Sequence, residues 1–203
     1  LFPYTTLFRS KLLEQSITSN TKVASSLAIE IHDLRVKAAK KLEKELTKSI
    51  RELNMNGATI RIELKKKEAL DRHGLTKLRF LAETNPGEGL FPVKEIASGG
   101  ELSRILLSFR QVLSMNDSIS VFLFDEIDTG VGGETALSIG KALKNVSFGS
   151  QVIAITHLPQ IASYTDNLIS VSKETFDKRT FSKVNNVVME SRKEFLSAMA
   201  PIQ

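Results

Sequence analysis

Apolar and polar positions divide the chain into two regimes. Between residues 11 and 54 there is no proline or glycine, and Lys, Glu, Leu and Ala are plentiful. Leu27, Ile31, Leu34 and Ala38 recur at 4-3-4 spacing, and Leu46, Ile50 and Leu53 at 4-3. This period predicts a long amphipathic helix or coiled-coil arm whose seam slips in phase between its two parts. Asn54 and Gly57 in "NMNG" then supply residue types suited to a left-handed helix cap. Alternation in "ATIRIEL" (58–64) and "TKLRFLAE" (76–83) predicts two strands, followed by the turn-rich "TNPGEGLFP".

Beyond residue 98 the pattern changes. Apolar residues at 102, 105, 106, 109, 112 and 113 predict a helix with one buried stripe. "ISVFLFDE" (119–126) is a continuous apolar run, the pattern of a strand buried on both faces of a mainly parallel sheet. "GGETALSIGKALKNV" predicts a helix, and "QVIAITH" (151–157) a second buried strand. "NLISVSKE" and "RTFSKVNNVVM" predict a strand pair before a short terminal helix. Strand alternating with helix from 119 onward places the fold in the α/β class.

Composition narrows this only slightly. The 203 residues are 41% hydrophobic and 25% charged, as in soluble globular proteins, and the net charge of +5 permits nucleic-acid contact without requiring it. There is no cysteine, which excludes disulfides, thiol catalysis and cysteine zinc sites and fits a reducing cytoplasm. The charged run "RVKAAKKLEKELTKSIRE" (35–52) reads as a solvated helix face, with direct DNA contact as the alternative. The first ten residues, "LFPYTTLFRS", translate the end of a common sequencing adapter, so residues 1–10 read as a non-native scar. The expected organisation is then a scar at 1–10, an arm at 11–56 and a head portion at 57–203.

Three short motifs carry candidate chemistry. Ser98, Gly99 and Gly100 stand directly before an apolar helix, with Glu101 in its first turn. Such a start is either a plain N-cap or an anion site built from bare backbone N–H groups. Asp125 and Glu126 end a buried strand, where open α/β sheets bind ligands. In nucleotide hydrolysis the first acid holds Mg²⁺ and the second orients and deprotonates water; otherwise a strand simply runs out into a polar loop. His157 ends the next strand and is placed to donate to a terminal phosphate, or is a satisfied structural histidine. "IDTGVGG" (127–133) supplies a loop directly after the acids.

In this order, the motifs resemble the distal half of an ATP-binding-cassette ATPase: signature motif, Walker B strand and switch histidine. "NPGE", "IASGGELSRILLS", "FLFDEIDTGVGG", "ITHLPQIA" and "VSKET" are together similar to the C-terminal part of the RecN family, SMC-like bacterial ATPases of DNA double-strand-break repair. The resemblance implies the distal half of an ATPase head preceded by a coiled-coil arm, in a cytoplasmic, nucleoid-associated protein. It implies ATP and Mg²⁺ as cofactors. The implied partners are DNA, as ends or single strands, and a second copy of the chain through ATP-bound heads. It assigns Mg²⁺ to Asp125, hydrolytic base to Glu126 and γ-phosphate contact to His157. Ser98, Gly99, Gly100 and Glu101 become a signature acting on a nucleotide held by the partner, and Asp128 opens a loop communicating across the dimer. Ala97 and Glu101 depart from the commoner LSGGQ wording.

No G-x-x-x-x-G-K-[ST] loop occurs in the 203 residues. The resemblance implies a P-loop upstream of the arm, so the parent is expected to hydrolyse ATP and this chain alone to be inactive. A transporter nucleotide-binding domain would need that loop where the charged helix and two strands stand. An ATP-independent DNA-binding or architectural module remains the other alternative.

Overall fold

A computed structural model describes residues 3–96, 98–113, 119–176 and 179–199, with the side chains of 3–7 left aside. Ala97 lies outside these residues.

The predicted long helix is α1, Pro3–Glu52. Its two seams have different fates. Leu46, Ile50 and Leu53 are fully buried, whereas Leu27, Ile31 and Leu34 are exposed. Over the first part of the arm the inward face is instead Ala28, His32 and Ala39, one quarter-turn away. There His32 Nδ1 lies 3.1 Å from Thr76 Oγ1, and Arg35 donates to the His73 carbonyl at 3.0 Å. Asn54 ends the helix in the left-handed region (φ 64°). Gly57 serves a different need: a Cβ there would lie 2.4 Å from Pro86 Cδ.

Against α1 lies an antiparallel sheet of β1 (Thr59–Asp71), β2 (Gly74–Glu83) and the short β3 (Phe91–Pro92). Ile60 pairs with Ala82, and both are buried with Leu46, Ile50, Met55, Ala58 and Ile105 in one core. Next come α2 (Gly99–Leu113), β4 (Val121–Phe124), α3 (Gly133–Ser147) and β5 (Gln151–Ala154). A second core joins Leu107, Phe124, Ile127, Ile139, Leu143 and Ile161, the last from the one-turn helix α4 (Pro159–Ala162). The hairpin β6 (Leu168–Phe176) and β7 (Arg179–Val187) and the helix α5 (Met189–Met199) complete the fold.

The class is α/β, with β4 and β5 the parallel pair and the other two sheets antiparallel. Two expectations need correction. The strands β4 and β5 are not buried on both faces, because Val121, Leu123, Ile153 and Ile155 stand exposed along one of them. Nor does α2 bury a single stripe: Leu106 and Leu113 are exposed, while Gly100, Arg104, Ile105, Leu107, Ser108 and Arg110 are buried. The reason is that α2 lies between both cores, giving Ile105 to one and Leu107 to the other.

Candidate nucleotide site

Parallel pairing decides which loops meet. Phe122 is in register with Val152 and Phe124 with Ala154, so both strands end at the same edge of the pair. The Ile155 N–H donates to the Phe124 carbonyl at 2.9 Å and carries this alignment one step further. Asp125 and Glu126 therefore leave the sheet beside Thr156 and His157, as strand ends do in open α/β sheets.

The N-terminus of α2 closes onto the acids. Ser98 caps the helix, its Oγ accepting from the Glu101 N–H at 3.4 Å while its carbonyl accepts from Leu102 N at 3.0 Å. Ser103, one turn on, donates to the Asp125 carbonyl at 2.7 Å. A Cβ on Gly99 would lie 2.3 Å from Glu126 Oε2. One on Gly100 would lie 3.0 Å from both the Glu126 carbonyl oxygen and Thr129 Cβ. The adjacent glycines thus have a reason within this chain: only residues without Cβ let the helix tip approach Glu126 so closely. Glu126 itself has φ 56°, a left-handed conformation uncommon outside glycine, asparagine and aspartate.

Asp128 is nearly fully buried and accepts three donors. Thr156 Oγ1 donates to its Oδ2 at 2.5 Å and the His157 N–H at 2.8 Å, and His157 Nδ1 lies 3.0 Å away. Thr156 Oγ1 in turn accepts from Leu158 N at 3.0 Å. The histidine is thereby gripped at Nδ1 while its ring stays largely exposed, leaving Nε2 toward solvent. Arg104 reaches from α2 beneath the same loop, donating to the Thr129 carbonyl at 3.0 Å and the Ile127 carbonyl at 3.4 Å. Burial pulls its guanidinium below the usual arginine range, opposed by the charge of Glu101, and its Nε has no partner among the described residues.

The metal question rests on Asp125. One of its carboxylate oxygens accepts from the Glu126 N–H at 2.9 Å, and the group is exposed at the strand end. Among the described residues no three metal-binding side chains cluster. A lone carboxylate beside open space fits Mg²⁺, which takes one or two carboxylates and completes its shell with water and phosphate oxygens.

Comparison with known proteins places this arrangement. The chain is 35% identical to the DNA repair protein RecN of Bacillus subtilis over 187 residues, 85% of this chain and 32% of that one. It is 35% identical to RecN of Vibrio cholerae over 180 residues, and 34% identical to that of Rickettsia prowazekii over 209. This chain is a homologue of RecN.

It spans about a third of the length of the RecN proteins it matches. No protein-family model matches it. Among solved structures, the Smc head domain with a coiled coil and joint from Pyrococcus yayanosii superposes with TM-score 0.63 at 22% identity. That match covers 94% of this chain and 35% of the Smc chain. The Smc head of Pyrococcus furiosus, with an extended coiled coil and bound to the C-terminal domain of ScpA, gives TM-score 0.59 at 21% identity over 94% of this chain and 46% of that one. These likenesses establish an SMC-head fold for the RecN homologue.

The structure brings Gly99 and Gly100 to Glu126 and Ser103 to Asp125, keeps Ser98 and Glu101 bonded to each other at the same helix tip, and joins Asp128 to His157. Sequence reading missed Arg104 and Ser103, which tie α2 to this loop of the RecN homologue. The available signal was an arginine four residues after Gly100, on the helix face that also carries Leu107 and Ser108 inward.

Proposed function

We propose that this chain is the distal half of an ATP-hydrolysing head in an SMC-like DNA-repair protein. The observation that carries the reading is the shared edge of β4 and β5, with Glu126 and His157 on adjoining loops and the tip of α2 against Glu126. The RecN homology supports the same class of activity.

In this reading Asp125 holds Mg²⁺, which when bound offsets phosphate charge. Glu126 orients a water and accepts its proton as that water attacks the terminal phosphate. His157 faces the same phosphate with Nε2. Asp128 accepts from Nδ1 and so fixes how the ring is turned toward that phosphate. Ser98 to Glu101 direct backbone donors at a nucleotide held by a second copy, and Asp128 links that contact to His157 in its own chain. The P-loop lies outside the 203 residues, so the isolated chain does not turn over ATP.

The test begins with the genomic frame upstream of the Lys11 codon, read from independently prepared DNA. A frame continuing through an arm to a G-x-x-x-x-G-K-[ST] loop supports the reading. In the protein encoded by that complete frame, Glu126→Gln is expected to retain ATP-dependent dimerisation and lose turnover. A genuine start beside Lys11 with no P-loop, or normal turnover in the variant, would overturn it.

A further inference from the structure

From His157 the chain runs through Leu158 into the one-turn helix α4, then turns back over residues 163–166 toward β6. Between Thr156 and Asp166 there is no glycine, and Pro159 fixes the backbone at the first helical position. The links of this segment are bonded in series. Thr156 Oγ1 accepts from Leu158 N at 3.0 Å, and the Leu158 carbonyl accepts from Ile161 N and Ala162 N, both at 3.1 Å. Ile161 and Ala162 are buried. On one flank α3 closes in: a Cβ at Gly140 would lie 2.5 Å from the Tyr164 ring, and Lys144 bonds Asp166 at 2.5 Å.

The other flank is held by one side chain. So short a helix leaves its last carbonyls short of donors. Arg192, from α5, supplies them. Its Nη2 lies 3.1 Å from the Ala162 carbonyl oxygen, 3.4 Å from that of Ser163 and 2.9 Å from Thr165 Oγ1, and also donates to the Thr165 carbonyl. Its Nη1 donates to the Asp166 carbonyl at 3.4 Å. A planar cation with several fixed donors suits carbonyls that converge at a helix C-terminus. The helix α5 buries no residue of its own, so core packing does not account for where it sits.

We propose that Arg192 is a positioning residue for His157, holding the far end of the stiff segment whose near end Asp128 grips. The proposal rests on the phosphate-contact reading of His157 above and adds a second support for that contact. The competing role is a plain anchor for α5. Against it, every oxygen that Arg192 reaches belongs to residues 162–166, the turn that closes the segment after His157, and none to α3, β6 or β7. With no glycine to absorb a rotation, a change of tilt at that end of α4 is carried back to the histidine.

The experiment is nitrogen-15 NMR of the His157 ring and amide exchange in the full 203-residue chain without nucleotide, for wild type, Arg192→Ala and Arg192→Lys. Arg51→Ala, which removes a guanidinium bond to the Ala58 carbonyl at the root of the arm, is the control for general destabilisation, and thermal midpoints are recorded for all. Arg192→Ala is expected to speed exchange at Tyr164 and Thr165 about tenfold and to move the ratio of Nδ1–H to Nε2–H ring forms at least about twofold. Lysine keeps the charge but reaches fewer carbonyls, so it should restore part of both effects. In the protein of the complete frame, Arg192→Ala should lower kcat about tenfold with KM for ATP within about twofold. A His157 ring unchanged in Arg192→Ala, an equal change in the arm control, or unaltered kcat in an active parent would each refute the positioning role. A wild-type parent that does not turn over ATP would instead remove the hydrolysis reading, and the ring spectra would still decide whether Arg192 orients His157.

Discussion

Gly99 and Glu126 are so close that a single methyl group on the first would meet the carboxylate of the second at 2.3 Å. The obstacle is the far end of a flexible side chain, so Gly99→Ala should be absorbed by a turn of Glu126 with a stability change under about 1 kcal/mol. Gly100 instead meets the Glu126 carbonyl oxygen and the Thr129 Cβ, both at 3.0 Å, and Gly100→Ala should cost about 1–3 kcal/mol. Urea midpoints for both variants check this; Gly99→Ala proving the costlier would contradict the geometry.

Glu126 occupies a left-handed backbone conformation in which a Cβ is unfavourable. Glu126→Gly is therefore expected to stabilise the fold by about 0.5–1 kcal/mol, while Glu126→Gln leaves stability unchanged. A denaturant series on the two variants separates backbone relief from loss of the carboxylate. If Gln stabilises as much as Gly, the conformation is not the cause.

Asp128 is the one acceptor shared by the Thr156 hydroxyl and two donors of His157. Its replacement by Ala strands those donors and should cost about 2–3 kcal/mol. The more specific reading is nitrogen-15 NMR of the His157 ring. The wild type should hold the Nδ1–H tautomer when neutral, and Asp128→Asn should shift the mixture toward Nε2–H. Identical ring spectra would show that Asp128 does not set the tautomer.

Arg104 holds two carbonyls of the loop after the acids with one guanidinium nitrogen. Lysine keeps the charge but not the reach and shape of the fork. Arg104→Lys should raise amide exchange at Thr129 and Val131 by about tenfold, with exchange in α3 unaffected. Uniform acceleration across the chain would mean global destabilisation instead.

At the β1–β2 turn, Lys67 and the His73 N–H both bond Asp71 and hold its carboxyl below the usual carboxylate range. A lowered folded-state pKa adds stability above the unfolded value near 3.9, and that contribution is lost as pH falls through the folded value. The turn should accordingly keep its NMR signature at pH 5 and loosen only below about pH 4. Asp71→Asn should abolish that acid transition.

The elements carrying the site were legible because their signals are local. "VFLFDE" and "AITH" announce two strand ends with polar residues, and parallel pairing brings both to one edge. What could not be read depended on partners distant in sequence. The Leu46–Leu53 seam and the Leu27–Leu34 seam have the same period, yet only the first meets Ile105 and the hairpin. Leu106 belongs to the apolar pattern of α2, but cores on two sides of that helix rotate the burial toward Arg104 and Ser108. The doubled glycine was legible as close approach; that Glu126 of the same chain is what approaches required coordinates.

Because α1 and α2 share the buried contact of Leu46 and Ile50 with Ile105, the arm and the glycine tip form the two ends of one lever. The stretch of α1 from Leu46 back to Lys11 is about 52 Å long, so a tilt of about 5° at its root sweeps the far end through about 5 Å. Read in the other direction, a displacement of about 5 Å at the distant end reaches Gly99, about 9 Å from Ile105 along α2, as slightly under about 1 Å. Gly99 packs beside the Glu126 carboxylate, so the arm's leverage ends at the side chain that leaves the strand edge.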